Sequence, residues 1–536
     1  MDRKPVNRHQ SRVHLRLVLF GLASSLWVSA LVARLVYLQV VARASLQERA
    51  ELQQQHTLKL DPIRGAIFDR QGRELAVSVD VESVYAVPMA IKDPEATARA
   101  LASCLGGQPT QLAARLGSRK QFLWVKRKVD PGAADCVRSL GLSGVSFLPA
   151  KRRFYPKRNL AAHVLGYVGM DNEGMSGVEY ALESEIRGTP GRRIIWTDAR
   201  KRRAASRVEE PPLPGGTVHL TLDQTLQHIT ETELVRAVEA SHAVMGIAIL
   251  MQPETGEILA MAASPTFNPN CYGAYPDSSW RNRAVTDAYE PGSTFKVVTA
   301  AAALEEGVVN EEERIDCGRG VIRVGERLIR DHQAFDVLTF REVVERSSNV
   351  GMIRIGQRLG KDRLGRFIRA FGFGAVTGVE LPAESPGIVR DFSRWGPVTL
   401  ASISFGQEIA VTPLQMIAGM NVIAASGYLM RPRLLKEIRS PRGEVLERFE
   451  PEPVRRVISH RTALRMRKIL VGVVERGTGK GAAIPGYRLA GKTGTAQKAS
   501  RHGGYSTTDF VASFVGFAPA DRPQLTGLVL LDSPAG

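Results

Sequence analysis

The longest run of apolar residues lies near the start of the chain. No charged residue occurs from Leu17 to Ala33, and apolar side chains continue to Val41. A membrane-spanning helix needs about 20 mostly apolar residues. The run therefore predicts a transmembrane helix over residues 17–41.

The charges that flank this run predict its orientation. Residues 1–16 contain one acid, Asp2, and several Arg and Lys residues. By the positive-inside rule, residues 1–16 form a cytoplasmic tail and the chain after residue 41 lies outside the cell membrane. A cleaved signal peptide ending at Ala42-Arg43-Ala44 is the alternative, although its apolar core is usually about 7–15 residues long.

The pattern changes twice after the apolar run. Spaced leucines from Arg43 to Leu60 predict a helical continuation, and a mixed region of short strands and helices follows to about residue 215. The Pro- and Gly-rich stretch at 211–216 then marks a domain boundary. We expect a mixed α+β pedestal over residues 42–215.

Beyond the boundary, strand patterns lie at both ends of the remaining sequence and helical patterns lie between them. Early strands are predicted at 218–222, 244–251 and 257–263, and late ones at 487–497, 510–517 and 525–531. The helical stretches between them include 293–306 and one that begins at Pro413. This order predicts a C-terminal α/β domain over 216–536, with its sheet closed by distant parts of the chain.

The composition is that of a folded protein with a basic balance. The 536 residues carry 72 Lys and Arg against 54 Asp and Glu, a net charge of +18. Basic clusters at 151–158 and 192–203 would lie outside the cytoplasm, so we expect no nucleic acid partner. Solvated surfaces, or contacts with anionic lipid or wall polymer, are the interpretations we consider.

The four cysteines form no C-x-x-C pair. This spacing predicts no metal site and no disulfide framework, and it disfavours even a single disulfide. We expect no cofactor.

The first candidate chemical motif is Ser293-Thr-Phe-Lys296, which follows Pro291-Gly292. Positions i and i+3 share a helix face, so Lys296 can reach the Ser293 hydroxyl. A serine is a poor nucleophile until a base takes its proton, and a desolvated lysine can be neutral enough to do so. By itself the motif is weak, because a capping serine and an exposed lysine would look the same.

Two further motifs supply groups that could act with the first. In Ser347-Ser348-Asn349, Ser347 can relay a proton and the Asn349 amide can both donate and accept, although a helix cap would look alike. In Lys492-Thr493-Gly494-Thr495, alternation along a strand places Lys492 and Gly494 on one face. Lys492 can anchor a carboxylate, and we expect Gly494 to let a substrate backbone approach.

A competing interpretation of the third motif is a phosphate-binding loop. The residues from Gly486 to Thr493 fit G-x-x-x-x-G-K-[ST]. Such a loop must lead directly into a helix, whereas Thr495-Ala496-Gln497 and a polar stretch follow here. We therefore disfavour a nucleotide site.

The order of the three motifs is more specific than any one of them. Ser347 lies 54 residues after Ser293, and Lys492 lies 145 residues after Ser347. S-x-x-K, S-x-N and K-T-G in this order are typical of penicillin-binding proteins and β-lactamases.

On these motifs, the chain resembles the class B penicillin-binding proteins over nearly its whole length. The stretches 64–76, 153–169 and 177–188 are similar to the three pedestal boxes of that family. The stretch 283–293 most resembles the septal D,D-transpeptidases of cell division, the FtsI type. Elongation and sporulation types are the alternatives within the family.

The resemblance implies a peptidoglycan D,D-transpeptidase that is a target of β-lactams. Ser293 would attack the D-Ala-D-Ala carbonyl of a stem peptide, with Lys296 as base and Ser347 returning the proton. Asn349 would hold the peptide, and the donor carboxylate would be held by Lys492, Thr493 and Thr495. Backbone amides of Ser293 and Thr495 would form the oxyanion hole.

The resemblance also implies partners and a longer family pattern. A SEDS-family, FtsW-like glycosyltransferase would supply the glycan strand, together with other division proteins. The family normally continues with another strand and a C-terminal helix beyond the point where Pro534-Ala535-Gly536 stands. A β-lactamase, a catalytically silent division scaffold and a penicillin sensor are the alternatives in other classes.

Overall fold

The structure is a computed structural model that describes residues 8–46, 55–120, 122–197, 203–499 and 504–535. Up to residue 220, its helices and strands are α1 (Arg8–Val36), β1 (Gln55–Leu60), β2 (Ile67–Phe68), β3 (Glu74–Ala86), α2 (Pro94–Leu105), α3 (Pro109–Leu116), β4 (Leu123–Val129), α4 (Pro131–Ser139), β5 (Val145–Phe154), α5 (Ala162–Leu165), α6 (Gly177–Ala181), α7 (Glu183–Ile186), β6 (Gly191–Thr197), β7 (Arg203–Glu210) and β8 (Thr217–Leu220).

The later elements are α8 (Gln224–Ala240), β9 (Met245–Met251), β10 (Ile258–Ser264), α9 (Arg283–Thr286), α10 (Lys296–Glu305), β11 (Arg314–Asp316), β12 (Val321–Val324), β13 (Arg327–Arg330), β14 (Val337–Thr339), α11 (Phe340–Glu345), α12 (Asn349–Leu359), α13 (Lys361–Ala370), α14 (Pro397–Ser404), α15 (Pro413–Ala424), β15 (Tyr428–Met430), β16 (Leu435–Arg439), β17 (Val445–Arg448), β18 (Pro453–Arg456), α16 (His460–Glu475), β19 (Ala490–Ala499), β20 (Tyr505–Ala518) and β21 (Leu525–Asp532).

The chain forms two compact units, of which the first comprises Met1–Asp61 and Pro190–Leu213. Helix α1 continues as a π turn, and Arg12–Val41 is the one helix in the described residues that is long and apolar enough to cross a membrane. The predicted helix over 43–60 is wrong at its end. Residues 55–60 form strand β1, which pairs antiparallel with β6.

The second unit, Pro62–Thr189 with Pro214–Gly536, contains a sheet built from distant segments. Its strand order is β17-β16-β8-β2-β3-β4, and β5 also pairs with β3. Strand β8 runs parallel to β2 on one side and antiparallel to β16 on the other, with Ile438 opposite Val218. The pedestal sheet is therefore continued by strands β16 and β17, which lie more than 200 residues after β8 in the sequence.

The three pedestal stretches, 64–76, 153–169 and 177–188, meet at one buried cluster of charged side chains. The Glu179 carboxylate accepts hydrogen bonds from Arg64 Nε and Arg153 Nε, each at 2.6 Å, and from the Tyr155 hydroxyl at 3.2 Å. All four side chains are almost fully buried. Arg153 is therefore not part of a solvated basic face, as its basic neighbours suggested, because its charge is paired inside the fold.

The pedestal also contains a disulfide between Cys104 and Cys136, whose Cα atoms are 5.7 Å apart. The bond joins α2 to α4, 32 residues further along the chain. The single disulfide that the cysteine spacing disfavoured is therefore present. The spacing of the two residues carries no recognisable pattern, and only the packing of the two helices brings them together.

The C-terminal half is built on a five-stranded antiparallel sheet with the order β10-β9-β21-β20-β19. On one face, Ala248 and Ala262 pack against Leu234 of α8. On the other face, Ile247 and Ile249 join the main core, which also contains helices α10, α15 and α16. The expected α/β fold, an antiparallel sheet between helices beside a mixed pedestal, is confirmed.

Candidate active site

The first motif lies where a short turn enters a buried helix. Gly292–Phe295 forms one 3₁₀ turn, and Lys296 is the first residue of α10. Ser293 is half-buried and lines a cleft of about 320 Å³, whereas the Lys296 side chain is fully buried. The chain thus exposes the serine and holds the lysine inside.

Lys296 binds the second motif. Its Nζ donates to Ser347 O at 2.6 Å, to Asn349 Oδ1 at 2.7 Å and to Ser347 Oγ at 3.2 Å. Among the described residues, no hydrogen bond joins Lys296 to the Ser293 hydroxyl. Burial, and then the nearby Lys492, hold the pKa of Lys296 well below its usual value. A neutral amine at this position can take a proton.

The second motif forms the entry to helix α12. Ser347 has a positive φ of 61°, a conformation in which strain is often retained at functional sites. Ser348 caps the helix by accepting from Gly351 N at 2.9 Å, and Asn349 is the first helical residue. This turn holds the Ser347 hydroxyl between the amino groups of two lysines.

The third motif supplies the second of these groups from strand β19. Lys492 Nζ lies 2.9 Å from Ser347 Oγ and 3.1 Å from Thr493 O. The side chain is fully buried, and this desolvation lowers the pKa of Lys492 to about 7. The Ser347 hydroxyl therefore connects Lys296 with Lys492 in one hydrogen-bonded chain.

The other residues of the third motif divide between the two faces of the strand. Thr495 is exposed and lines the cleft with Ser293 and Asn349, and Thr493 is half-buried with its hydroxyl 2.7 Å from that of Thr478. A Cβ at Gly494 would lie only 2.6 Å from Ser513 Oγ and 2.8 Å from Thr294 Cγ2.

Gly494 therefore lets the turn that carries Ser293 approach strand β19. Its expected role in letting a substrate backbone approach stays a prediction. The same strand excludes the nucleotide interpretation, because Lys492 and Thr493 lie within β19 and no helix follows them directly in the described residues.

Sequence reasoning missed the residues that frame the cleft. The β12–β13 hairpin lines it with Arg327 and Arg330, and the segment after α14 contributes Gln407. Arg327 binds Glu408 Oε1 and Ser402 Oγ, each at 2.9 Å. None of these residues belongs to a motif, and no signal in one sequence would have identified them.

Two family models match the chain. The penicillin-binding protein transpeptidase domain matches residues 246–536, and the penicillin-binding protein dimerisation domain matches residues 59–220. "Stage V sporulation protein D" of Bacillus subtilis is 35% identical, over 97% of this chain and 82% of the relative. "Peptidoglycan D,D-transpeptidase FtsI" of Escherichia coli K12 is 32% identical, over 99% of this chain and 89% of the relative.

The chain belongs to the class B penicillin-binding proteins.

A solved structure agrees with this membership. Penicillin-binding protein 3 of Mycobacterium tuberculosis, complexed with aztreonam, aligns with a TM-score of 0.71 at 30% identity and covers 89% of this chain and 92% of its own. The family resemblance stated from the sequence is therefore confirmed. As a class B member, the chain is a penicillin-binding serine transpeptidase.

Proposed function

We propose that this penicillin-binding protein crosslinks septal peptidoglycan through an acyl-enzyme on Ser293. The observation that carries the proposal is the single cluster in which Ser347 Oγ lies 3.2 Å from Lys296 Nζ and 2.9 Å from Lys492 Nζ, with Ser293 on the adjoining cleft. A nucleophile, a desolvated base and a proton relay are the parts that acyl transfer needs. A silent scaffold would not require this arrangement.

In the acylation step, Ser293 Oγ attacks the carbonyl carbon between the two D-Ala residues, and its proton passes to Lys296. Hydrogen bonds to the base are often long in free enzymes and shorten when substrate binds, so the absent Ser293–Lys296 bond fits this role. When the tetrahedral intermediate collapses, the C–N bond breaks and the amine of the terminal D-Ala takes a proton through Ser347. The acyl group remains on Ser293.

The oxyanion of the intermediate is stabilised by the backbone N–H groups of Ser293 and Thr495. Strand β19 is at the edge of the sheet, so alternate N–H groups along it have no partner strand and can face the cleft. Donors of this kind typically contribute a factor of about 10²–10³ to the rate. The acyl group then passes to an amine of a neighbouring stem peptide.

The substrate carboxylate is held by the hydroxyls of Thr493 and Thr495, with Lys492 behind them. The Lys492 side chain is fully buried, so it supplies charge and the threonines supply the direct contacts. A bound carboxylate would raise the lowered pKa of Lys492 and keep it protonated. Asn349 binds the peptide amide from the other side of the cleft.

Labelling with a fluorescent penicillin tests the assignment of the nucleophile. We expect wild type to form a covalent adduct and Ser293→Ala to form none, because the β-lactam ring needs the Ser293 hydroxyl to open. Ser278→Ala, an exposed serine elsewhere in the chain, is the matched control and should be labelled like wild type. Labelling of the Ser293→Ala variant would refute the proposal.

We assign the septal role over sporulation on the stretch 283–293, although the sporulation protein of B. subtilis makes that role the second candidate. Depletion of the protein separates the two roles, since loss of septal crosslinking produces filaments during growth and loss of a sporulation enzyme affects spores alone.

An FtsW-like glycosyltransferase is the proposed partner, and it should co-purify with the full-length chain from membranes.

We further propose that the catalytic half faces the outside of the cell membrane, with the pedestal over 42–215 and the transpeptidase domain over 216–536. Two observations support this orientation: basic residues precede the apolar helix, and Cys104 is bonded to Cys136. Disulfides persist in oxidising compartments outside the cytoplasm. Added protease should digest the catalytic half in spheroplasts, and full protection would refute the orientation.

A further inference from the structure

The residue that follows strand β13, Asp331, belongs to none of the three motifs but contacts the second one directly. Its Oδ2 accepts from the Ser348 hydroxyl at 2.6 Å, and its Oδ1 accepts from Val350 N at 3.0 Å and from Asn349 N. One carboxylate thus binds three consecutive residues at the start of α12.

The hairpin that carries Asp331 also orients the Asn349 side chain. Asn349 Nδ2 donates to Arg330 O at 2.9 Å, which leaves Oδ1 to accept from Lys296 at 2.7 Å. Asp331 N donates to Gly320 O at 2.9 Å, and this bond helps to fix the backbone that carries the carboxylate. A shift of Asp331 would therefore move the groups that bind the base.

We propose that Asp331 is a positioning residue for transpeptidation: its carboxylate fixes the Ser347–Asn349 turn against Lys296, and its negative charge lies close enough to stabilise a positive charge on that lysine. This inference rests on the proposed function.

The charges around Lys296 give the proposal a measurable consequence. Burial and Lys492 lower the pKa of Lys296, and Asp331 acts in the opposite direction. The Cys317 thiol, which also lies near Ser348 and Asp331, has a pKa raised by burial and stays neutral. Removing the Asp331 charge should therefore lower the pKa of Lys296 further.

The experiment measures the rate of acylation by a fluorescent penicillin as a function of pH. Asp331→Ala should lower the plateau rate at least about 10-fold, because the turn loses three hydrogen bonds. Asp331→Asn keeps an acceptor for the two backbone amides but loses the charge. The pH at which its acylation rate falls on the acidic side should move down by about 1 unit, a shift that lost packing alone would not produce. We call this fall the acidic limb of the pH–rate profile.

Glu326→Gln is the matched control, because this exposed acid lies in the turn of the same hairpin. It should keep both the wild-type plateau and the wild-type limb. If Asp331→Ala does not fold, Asp331→Asn decides the question. A wild-type limb in Asp331→Asn would overturn the inference and leave the proposed function intact, whereas a wild type that forms no adduct would overturn both.

Discussion

The buried charge cluster of the pedestal allows a stability prediction that does not depend on catalysis. Glu179→Gln keeps the size of the side chain but removes the charge that faces Arg64 and Arg153, which are both buried. Arg64 keeps its ion pair with Glu183 at 2.6 Å. Among the described residues, the partners left to the Arg153 guanidinium are backbone carbonyls such as Gly65 O at 2.8 Å. Most of the cost therefore falls on Arg153.

Removing one partner of a buried ion pair typically costs about 3–5 kcal/mol. The compact unit that contains the cluster, Pro62–Thr189 with Pro214–Gly536, has about 450 residues, and for a unit of this size that loss lowers the melting temperature by roughly 3–5 °C. We expect the Glu179→Gln variant to melt in this range below wild type when it is followed by circular dichroism. At 20 °C its acylation rate should be unchanged, because the cluster is not in the cleft.

Glu233→Gln is the matched control for this measurement. Glu233 pairs with Arg236 on the surface of α8, where both side chains are mostly exposed. Exposed pairs of this kind contribute about 0.2–1 kcal/mol, so the control should melt close to wild type. If Glu179→Gln melts like Glu233→Gln, the cluster does not stabilise the pedestal and the reasoning is wrong.

Three further predictions concern the site and the disulfide. The acylation rate should fall as the pH drops through the lowered pKa of Lys296, because protonation removes the base; a limb near 10, the range of an ordinary lysine, would contradict this. Gly494→Ala should slow acylation by about 10²-fold by displacing the serine turn, whereas Gly481→Ala, whose added Cβ meets nothing within 4 Å, should not. A thiol titration of the unreduced, denatured protein should find two free thiols among its four cysteines, and a count of four would show that Cys104 and Cys136 are not bonded.

The broad architecture and the meeting of the three motifs could be predicted from the sequence, because each motif has a fixed spacing and a recognisable local context. Strands β9 and β10, which were expected at 244–251 and 257–263, followed from the local pattern alone. These features depend on neighbours within a few residues, which is the range over which a pattern is informative.

The features that sequence reasoning missed all depend on distant partners. Arg153 lies in a basic run, and only Glu179 shows that its charge is buried. Asp331 is a single acid, and its role comes from a helix that begins 18 residues later. The close approach of Gly494 to the turn that carries Ser293 also depends on a distant segment, because the strand pattern alone does not show what a side chain there would meet.

The sheet order of the pedestal constrains how the chain folds as it is synthesised. Strands β2 and β3 are complete by residue 86, yet β16, which covers the open side of β8, ends at residue 439. Until that segment has been synthesised, β8 presents an unpaired edge to its surroundings. More than 200 residues separate β8 from β16, and while they are being made the open edge is accessible to chaperones and proteases.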